Sequence, residues 1–308
     1  MAIVRWTTAN VVDFRYTEAL IGLIKETLAN YPELNNFFAV PIEQTTYKTL
    51  VQTALPSVGF RADNAGRETQ RPTWEARSVE CKFLDASWDV DVKVADEFAW
   101  GPEFFLQEQT IAHIDSALRK IAQQTWYGVT ADATGFIGIM SYVNALSVAT
   151  VVNAGGTTAN SASSVFAVST GLQKVAYAWG RKRFMDIGPV ERVRINDATT
   201  PAKTFGGWGQ QISGHVGLQV GTAKCIGRIC NITDAKPLTD DLLAKLLATF
   251  DTGFAPDAFY MTRKAQMQLR QSRTPYHPQG TPVPFPDSAF GIPIYITDAL
   301  KDTEAIVA

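Results

Sequence analysis

Reactive side chains are scarce in this chain of 308 residues, and their scarcity argues against several classes of protein. Only three cysteines occur, Cys81, Cys225 and Cys230. An odd and sparse set of this kind is not a disulfide framework and is typical of a reducing cytoplasm. The last two lie five positions apart rather than at the spacing of a zinc knuckle, and only three histidines are available. We therefore expect free thiols and no metal site.

Long apolar runs are missing as well. No segment reaches the ~18 consecutive apolar residues that a membrane helix requires. The sequence at the N-terminus also lacks the long apolar block of a signal peptide. We expect neither membrane insertion nor secretion.

A large charge of either sign is also missing. The chain has 28 Lys and Arg against 30 Asp and Glu, a formal net charge of −2. A protein that reads nucleic-acid sequence normally carries a basic face, so this function is not indicated. A weak contact of one face with nucleic acid stays open.

No catalytic constellation stands out. The chain has no Gly-x-Ser-x-Gly elbow and no His-Glu-x-x-His motif, and His113 has no acidic residue three or four positions away. The glycine cluster Gly206–Gly209 fails the spacing of a dinucleotide-binding loop, so we expect a tight turn between strands there. The sequence therefore nominates no catalytic, cofactor-binding or metal-binding residue, although an unrelated α+β enzyme stays open as an alternative.

What the chain does have is one long amphipathic helix, predicted over Trp100–Gly128. Pro102 suits the first helical position and Gly128 suits the position just after the end. Between them, apolar residues recur every three or four positions, which indicates one buried face. This stripe consists of Phe104, Ile111, Ile114, Leu118 and Ile121.

Before this helix, the first 40 residues predict an arm and a shorter helix over Glu18–Asn30, which stops ahead of Pro32. Trp6, Phe14 and Tyr16 lie in or next to the arm, which is too short to bury them in a core of its own. We expect these aromatic side chains to find apolar surface elsewhere, on their own subunit or on a neighbour.

Residues 41–100 predict a long β-hairpin. Thr45–Thr53 is rich in Thr, Tyr and Val, and Trp88–Val94 alternates apolar with charged residues, as strands do. The polar stretch Arg61–Glu68 lies between these segments and indicates a tip. The pattern favours a projecting hairpin over a packed sheet.

The rest of the chain predicts mixed structure. We expect strands over Ser164–Ser169, Pro189–Asn196 and Phe290–Thr297, helices over Asp240–Phe250 and Thr262–Ser272, and irregular structure over Pro275–Pro286. The glycine-rich segment Phe205–Val220 is predicted to be irregular or hairpin-like.

Several short motifs follow one another in an informative order. They are Leu55-Pro56-Ser57-Val58-Gly59-Phe60-Arg61 with Asn64-Ala65-Gly66, Trp126-Tyr127-Gly128 with Thr134-Gly135-Phe136-Ile137-Gly138-Ile139, Ser164-Val165-Phe166-Ala167-Val168, and Phe290-Gly291-Ile292-Pro293-Ile294. In content and order, over nearly the whole chain, they resemble the major capsid proteins of tailed bacteriophages, which have the Hong Kong 97-type fold.

This resemblance implies an α+β capsid fold in four parts. They are an N-terminal arm and helix (1–40), an extended-loop hairpin (41–100), a spine helix with peripheral domain (101–134), and an axial domain with closing peripheral strands (135–308). The implied function is self-assembly, through hexamers and pentamers, into the icosahedral head shell around the phage genome. An encapsulin-like compartment shell shares the fold and stays open as an alternative.

The resemblance also implies partners, a location and an interface. The partners are copies of the chain, a scaffolding protein, a portal, decoration proteins and DNA contacted non-specifically, with no cofactor and no membrane. The location is the virion, after assembly in the host cytoplasm. An arm and a projecting hairpin are liabilities in a monomer, so we expect neighbouring subunits to cover them. The expected interface residues are Trp6, Phe14, Tyr16, Arg61, Arg67, Arg71, Trp74, Arg77 and Trp88.

Overall fold

The computed structural model describes residues 29–197, 200, 202–274 and 283–307. The arm residues and the predicted helix over Glu18–Asn30 therefore lie almost wholly outside the described residues. The α-helices are α1 (Glu33–Asn36), α2 (Val92–Asp96), α3 (Pro102–Tyr127), α4 (Asp240–Ala248) and α5 (Arg263–Arg273). The strands are β1 (Phe38–Pro41), β2 (Thr46–Ala54), β3 (Thr73–Glu80), β4 (Lys82–Asp85), β5 (Trp88–Asp91), β6 (Val151–Asn153), β7 (Ser163–Val168), β8 (Val175–Trp179), β9 (Asp186–Asn196), β10 (Thr204–Val220), β11 (Ile226–Ile232), β12 (Ala258–Met261), β13 (Ser288–Ala289) and β14 (Ile292–Ile296).

Helix α3 is the long helix that the sequence predicts, and its flanking residues set both ends. Gly101 has a φ of 92° and Gly128 a φ of 55°, values that residues with a Cβ atom rarely adopt. Pro102 occupies the first turn, where its missing N–H costs nothing. Side chains along one face, including Ile121 and Trp126, are buried. The predicted helix over Trp100–Gly128 is confirmed.

Strand β10 organises the first sheet. Its 17 residues pair with β9 and β8 in succession along one edge and with β5 and β4 along the other, and β1 runs parallel to β8. The prediction of irregular or hairpin-like structure over Phe205–Val220 is wrong, because the segment is one continuous strand. Glycine is rare in strands, so the glycines of this segment obscured a strand that is paired on both sides.

The glycines in β10 make room for neighbouring strands. A Cβ atom at Gly207 would lie 2.0 Å from Cδ1 of Ile195, and one at Gly209 would lie 2.9 Å from Cγ2 of Val193. Both positions pair with β9, so a larger side chain would push that strand away. The tight turn predicted at Gly206–Gly209 is therefore absent, and the segment is a strand interior.

Strands β2 and β3 form a separate two-stranded hairpin. They pair from Thr46 opposite Glu80 to Ala54 opposite Thr73, and residues 55–72 connect them as a tip. The hairpin is shorter than the predicted 41–100, because β4 and β5 pair with β10 instead. Residues 92–96 are helical rather than extended, since the side chain of Asp91 accepts a hydrogen bond of 2.8 Å from the backbone N of Lys93 and starts α2.

The second sheet has the strand order β13-β14-β12-β7-β11-β6 and packs against α4 and α5. Every residue of β7 and β11 is buried. Thr239 caps α4 and Thr262 caps α5, each by accepting a backbone N–H with its side-chain oxygen. Both predicted helices and the predicted closing strand are confirmed, with small shifts of their ends.

One large core cluster joins helix α3 to both sheets. Trp126 of α3 packs on Phe166 of β7 and on Tyr260 of β12, with ring centroids 5.0 Å and 5.2 Å apart. Tyr177 of the first sheet belongs to the same cluster and contacts Phe37, which precedes β1. The body of the subunit therefore has a continuous core, and the hairpin lies outside it.

Candidate assembly surfaces

The tip of the hairpin is the most exposed part of the described chain. All but one of residues 55–72 are exposed, and Leu55, Val58 and Phe60 each have at least 74% of their surface in contact with solvent. A two-stranded hairpin is marginally stable in water, and apolar side chains grouped at its end are unfavourable there. The hairpin therefore presents a surface suited to contact with another molecule.

Three of the predicted interface residues are free to make such a contact. The side chains of Arg67, Arg71 and Trp74 are exposed and have no hydrogen bond or ion pair with the described part of the chain. Arg61 is exposed as well, but its Nη1 donates a hydrogen bond of 2.9 Å to the carbonyl oxygen of Ala65 and so stabilises the tip turn. Its guanidinium retains further donors for a partner.

Arg77 makes its contacts inside its own subunit. Its Nη1 donates a hydrogen bond of 3.1 Å to the carbonyl oxygen of Gly221, and its Nη2 lies 3.1 Å from Oε2 of Glu75. Tyr47 on the facing strand donates a hydrogen bond to Oε1 of Gln219. No local sequence pattern signals these contacts, because they join residues more than 140 positions apart.

Trp88 is buried, which corrects its prediction as an interface residue. Only 7% of its surface is exposed, and its Nε1 donates a hydrogen bond of 3.0 Å to Oε1 of Gln210. It packs with Val90 and Ile212 in a small core between the first sheet and α3. The strand predicted at Trp88 is confirmed over Trp88–Asp91, but its apolar side chains pack inside this subunit.

The root of the N-terminal arm is held by a buried carboxyl group. Glu33 in α1 has no exposed surface, and its Oε1 accepts hydrogen bonds from Nε1 of Trp126 at 3.1 Å and Oγ1 of Thr297 at 3.0 Å. Its Oε2 has no hydrogen-bond partner. Burial raises the pKa of this carboxyl group to about 7. Trp6, Phe14 and Tyr16 lie outside the described residues.

The three cysteines of the body are buried and weakly reactive. Cys81, Cys225 and Cys230 are free and buried, and burial raises the pKa of Cys81 and of Cys225 to about 11. These thiols are protonated near neutral pH and are poor nucleophiles. Among the described residues, no three metal-ligating side chains come together. In the same residues, no helix is long and apolar enough to cross a membrane.

Comparison with known proteins identifies the family. A family model described as major capsid protein GP7 matches residues 21–308. The chain belongs to this family. It is a major capsid protein, a structural component of the bacteriophage head shell, and the resemblance read from its motifs is confirmed. No curated protein sequence matches the chain significantly.

Solved structures show the same fold at low sequence identity. A chain of bacteriophage epsilon15 is 18% identical with a TM-score of 0.77, and the match covers 100% of this chain and 98% of that one. The capsid of Myoviridae phage XM1 is 10% identical with a TM-score of 0.52, over 71% of this chain and 97% of that one. The SrpI encapsulin complex of Synechococcus elongatus PCC 7942 is 10% identical with a TM-score of 0.50, over 75% and 97%. The capsid protein therefore has the Hong Kong 97-type fold.

Proposed function

We propose that copies of this capsid protein associate as hexamers and pentamers, which close into an icosahedral shell around the phage genome. The observation that carries the proposal is the hairpin. It is an exposed two-stranded sheet with apolar side chains at its tip, outside the core of its own subunit. Such an element is unfavourable in an isolated monomer and becomes favourable when an adjacent copy covers it.

The interface that we propose has two parts. In the first, the hairpin tip lies over the adjacent subunit near its spine helix α3, with Arg61, Arg67, Arg71 and Trp74 in contact. In the second, the arm residues Trp6, Phe14 and Tyr16 pack on another subunit, where aromatic side chains bury about 150–250 Å² each. The nearly equal numbers of basic and acidic residues support this packing, because many copies can come together without large repulsion.

The remaining parts of the chain have proposed places in the shell. We propose that residues 135–308 form an axial domain around the local symmetry axes, and that 101–134 belongs to the spine and periphery. The proposed partners are a scaffolding protein, a portal, decoration proteins and DNA held without sequence specificity. Assembly would take place in the host cytoplasm. The protonated thiols and the absence of a catalytic motif support a purely structural role.

The second candidate is an encapsulin-like compartment shell, which the likeness to the SrpI complex brings forward. The family model favours the phage head, because it describes a major capsid protein and covers residues 21–308. The chain's neighbours in its genome would separate the two, since terminase and portal genes accompany a phage head and a cargo enzyme accompanies a compartment.

Sedimentation velocity tests the proposed function. The protein, produced together with its scaffolding protein, is expected to sediment as particles of many copies. Monomers or small dimers alone under these conditions would contradict assembly into a shell.

A further inference from the structure

The root of the hairpin is attached to the first sheet by two hydrogen bonds from opposite strands. On β2, the hydroxyl of Tyr47 donates to Oε1 of Gln219, and on β3, Nη1 of Arg77 donates to the carbonyl oxygen of Gly221 at 3.1 Å. Both acceptors lie at the C-terminal end of β10 or directly after it. Both strands of the hairpin are therefore hydrogen-bonded to one short segment of the body.

Both acceptors are themselves fixed. Nε2 of Gln219 donates a hydrogen bond of 2.7 Å to the carbonyl oxygen of Leu172, which turns Oε1 toward Tyr47. The backbone N of Gly221 donates to the carbonyl oxygen of Lys174 at 2.9 Å. A Cβ atom at Gly221 would lie 2.1 Å from the carbonyl oxygen of Gln173, so only glycine allows this close approach. The segment offers two acceptors at set positions.

The hairpin packs on the body between its root and these two hydrogen bonds, and beyond them, toward the tip, it does not. Val79 and Cys81 are buried against Ala178, and Tyr47 packs on the same cluster. Farther out, in residues 50–76 the described chain shows hydrogen bonds and ion pairs only between parts of the hairpin itself. Tyr47 and Arg77 are therefore the outermost side chains that hydrogen-bond the hairpin to the body.

We propose that Tyr47 and Arg77 form a clamp that sets the angle at which the hairpin leaves its own subunit. Arg77 is then a positioning residue for assembly, which acts through the direction of the hairpin rather than by touching a neighbour. The effect of the clamp on assembly rests on the proposed shell function, but the clamp itself is a property of the single subunit.

Lys48 provides a matched control. It is an exposed cation on the same strand as Tyr47 and next to it, and its side chain has no hydrogen bond or ion pair with the described residues. Replacing it removes a charged side chain from the hairpin root and leaves the clamp in place. The variant Arg77→Lys retains a donor for the carbonyl oxygen of Gly221 and should restore part of the clamp.

The test measures the direction of the hairpin in unassembled subunits. Spin labels on Gln52→Cys in β2 and Ser116→Cys in α3 report the distance between hairpin and body, and the native cysteines are buried and poorly reactive. We expect one narrow distance distribution in the parent and in Lys48→Ala, and a broad one in Arg77→Ala and Tyr47→Phe. Amide exchange of the β2–β3 ladder should be about tenfold faster in Arg77→Ala, the factor expected for a hydrogen bond with a charged donor.

A purely local structural role would lower the melting temperature without changing the distance, so thermal melting is measured on the same variants. Unchanged distributions in Arg77→Ala and Tyr47→Phe would overturn the proposal, and so would equal broadening in Lys48→Ala. Because the subunits are unassembled, these outcomes leave the shell function untouched. Failure of the parent protein to form particles would instead contradict the proposed function.

Discussion

One residue, Glu33, makes the stability of the subunit depend on pH. Its carboxyl group is fully buried beside Trp126 and Thr297, and the carboxyl group of Asp298 also raises its pKa. In the folded subunit its pKa is about 7, above the ordinary value of 4.5. The neutral form is therefore the one that the fold accommodates.

We predict that the subunit loses stability as pH rises between these two values. The unfolded chain releases the proton near its ordinary pKa, whereas the folded chain holds it to about pH 7. Above both pKa values, the free energy of unfolding is lower by about 3 kcal/mol than it is below them. Glu33→Gln, which is always neutral, should remove this dependence, so its advantage over the parent in urea unfolding should grow from pH 5 to pH 8. An equal gain from the exposed-site control Glu43→Gln would contradict the account.

The charged residues of the tip act at the same scale. Arg61 and Arg67 are exposed, and each exposed ion pair contributes only about 0–1 kcal/mol. A contact made once in every subunit is repeated over the shell, so its small free-energy contributions add up. Reversing both to Glu should lower particle yield, with the larger effect at low salt, where charges are least screened.

The melting temperature of the isolated subunit should hardly change in this double variant, because both side chains lie outside the core. Particle yield is measured by sedimentation and subunit stability by thermal melting. If the reversal destabilises the subunit as much as the particle, the tip packs on its own body and the interface proposal is wrong.

A buried ion pair ties the C-terminal segment to the second sheet. Nη2 of Arg228 lies 3.0 Å from Oε2 of Glu304, and both side chains are nearly free of solvent contact. Glu304→Gln would leave the Arg228 charge buried without a counter-charge, at a cost of about 3 kcal/mol. Glu80→Gln, which breaks the exposed pair with Lys82, is the control. Similar changes in the urea midpoint of the two variants would contradict this prediction.

At the scale of elements, the sequence predicts best where local signals agree. Helix α3 has its proline, its glycine and its apolar stripe in one register, and the structure places it where these signals indicate. Helix α4 follows from Thr239 and the leucines after it, and α5 follows from Thr262 with Met267 and Leu269. Capping and periodicity are properties of neighbouring residues, so they are visible without the fold.

Long-range packing accounts for what the sequence did not predict. The glycines of β10 make room for the side chains of the paired strand β9, and the apolar alternation at Trp88 is interrupted by the cap at Asp91. Of the interface residues, Arg67, Arg71 and Trp74 lie on an open surface as expected, whereas Trp88 is buried and Arg77 bonds to its own subunit. Composition marks a side chain as suited to contact, but the partner depends on the tertiary structure.

Deletion tests the role of the N-terminal arm. Deleting residues 1–17 should leave a folded, soluble subunit, because the described residues include two large buried apolar clusters. Without Trp6, Phe14 and Tyr16 it should assemble poorly. Circular dichroism verifies the fold, and electron microscopy counts the particles. Normal particles from the truncated chain would show that the arm is not needed between subunits.

At the scale of the whole molecule, the described chain combines a body that has its own core with one outlying segment, the hairpin. A continuous core joins α3 to both sheets, whereas the hairpin is outside that core. This division suits a shell, in which a fixed body sets the geometry of each capsomer and projecting elements join one copy to the next. The nearly balanced charge of the chain allows many copies to pack closely.

The most direct test of the account is a cryo-electron microscopy reconstruction of the particles formed by the protein together with its scaffolding protein. The account predicts closed icosahedral shells of hexamers and pentamers, with density for residues 46–80 of each copy lying over the adjacent subunit near α3. Absence of closed shells, or shells in which every hairpin folds back on its own subunit, would contradict it.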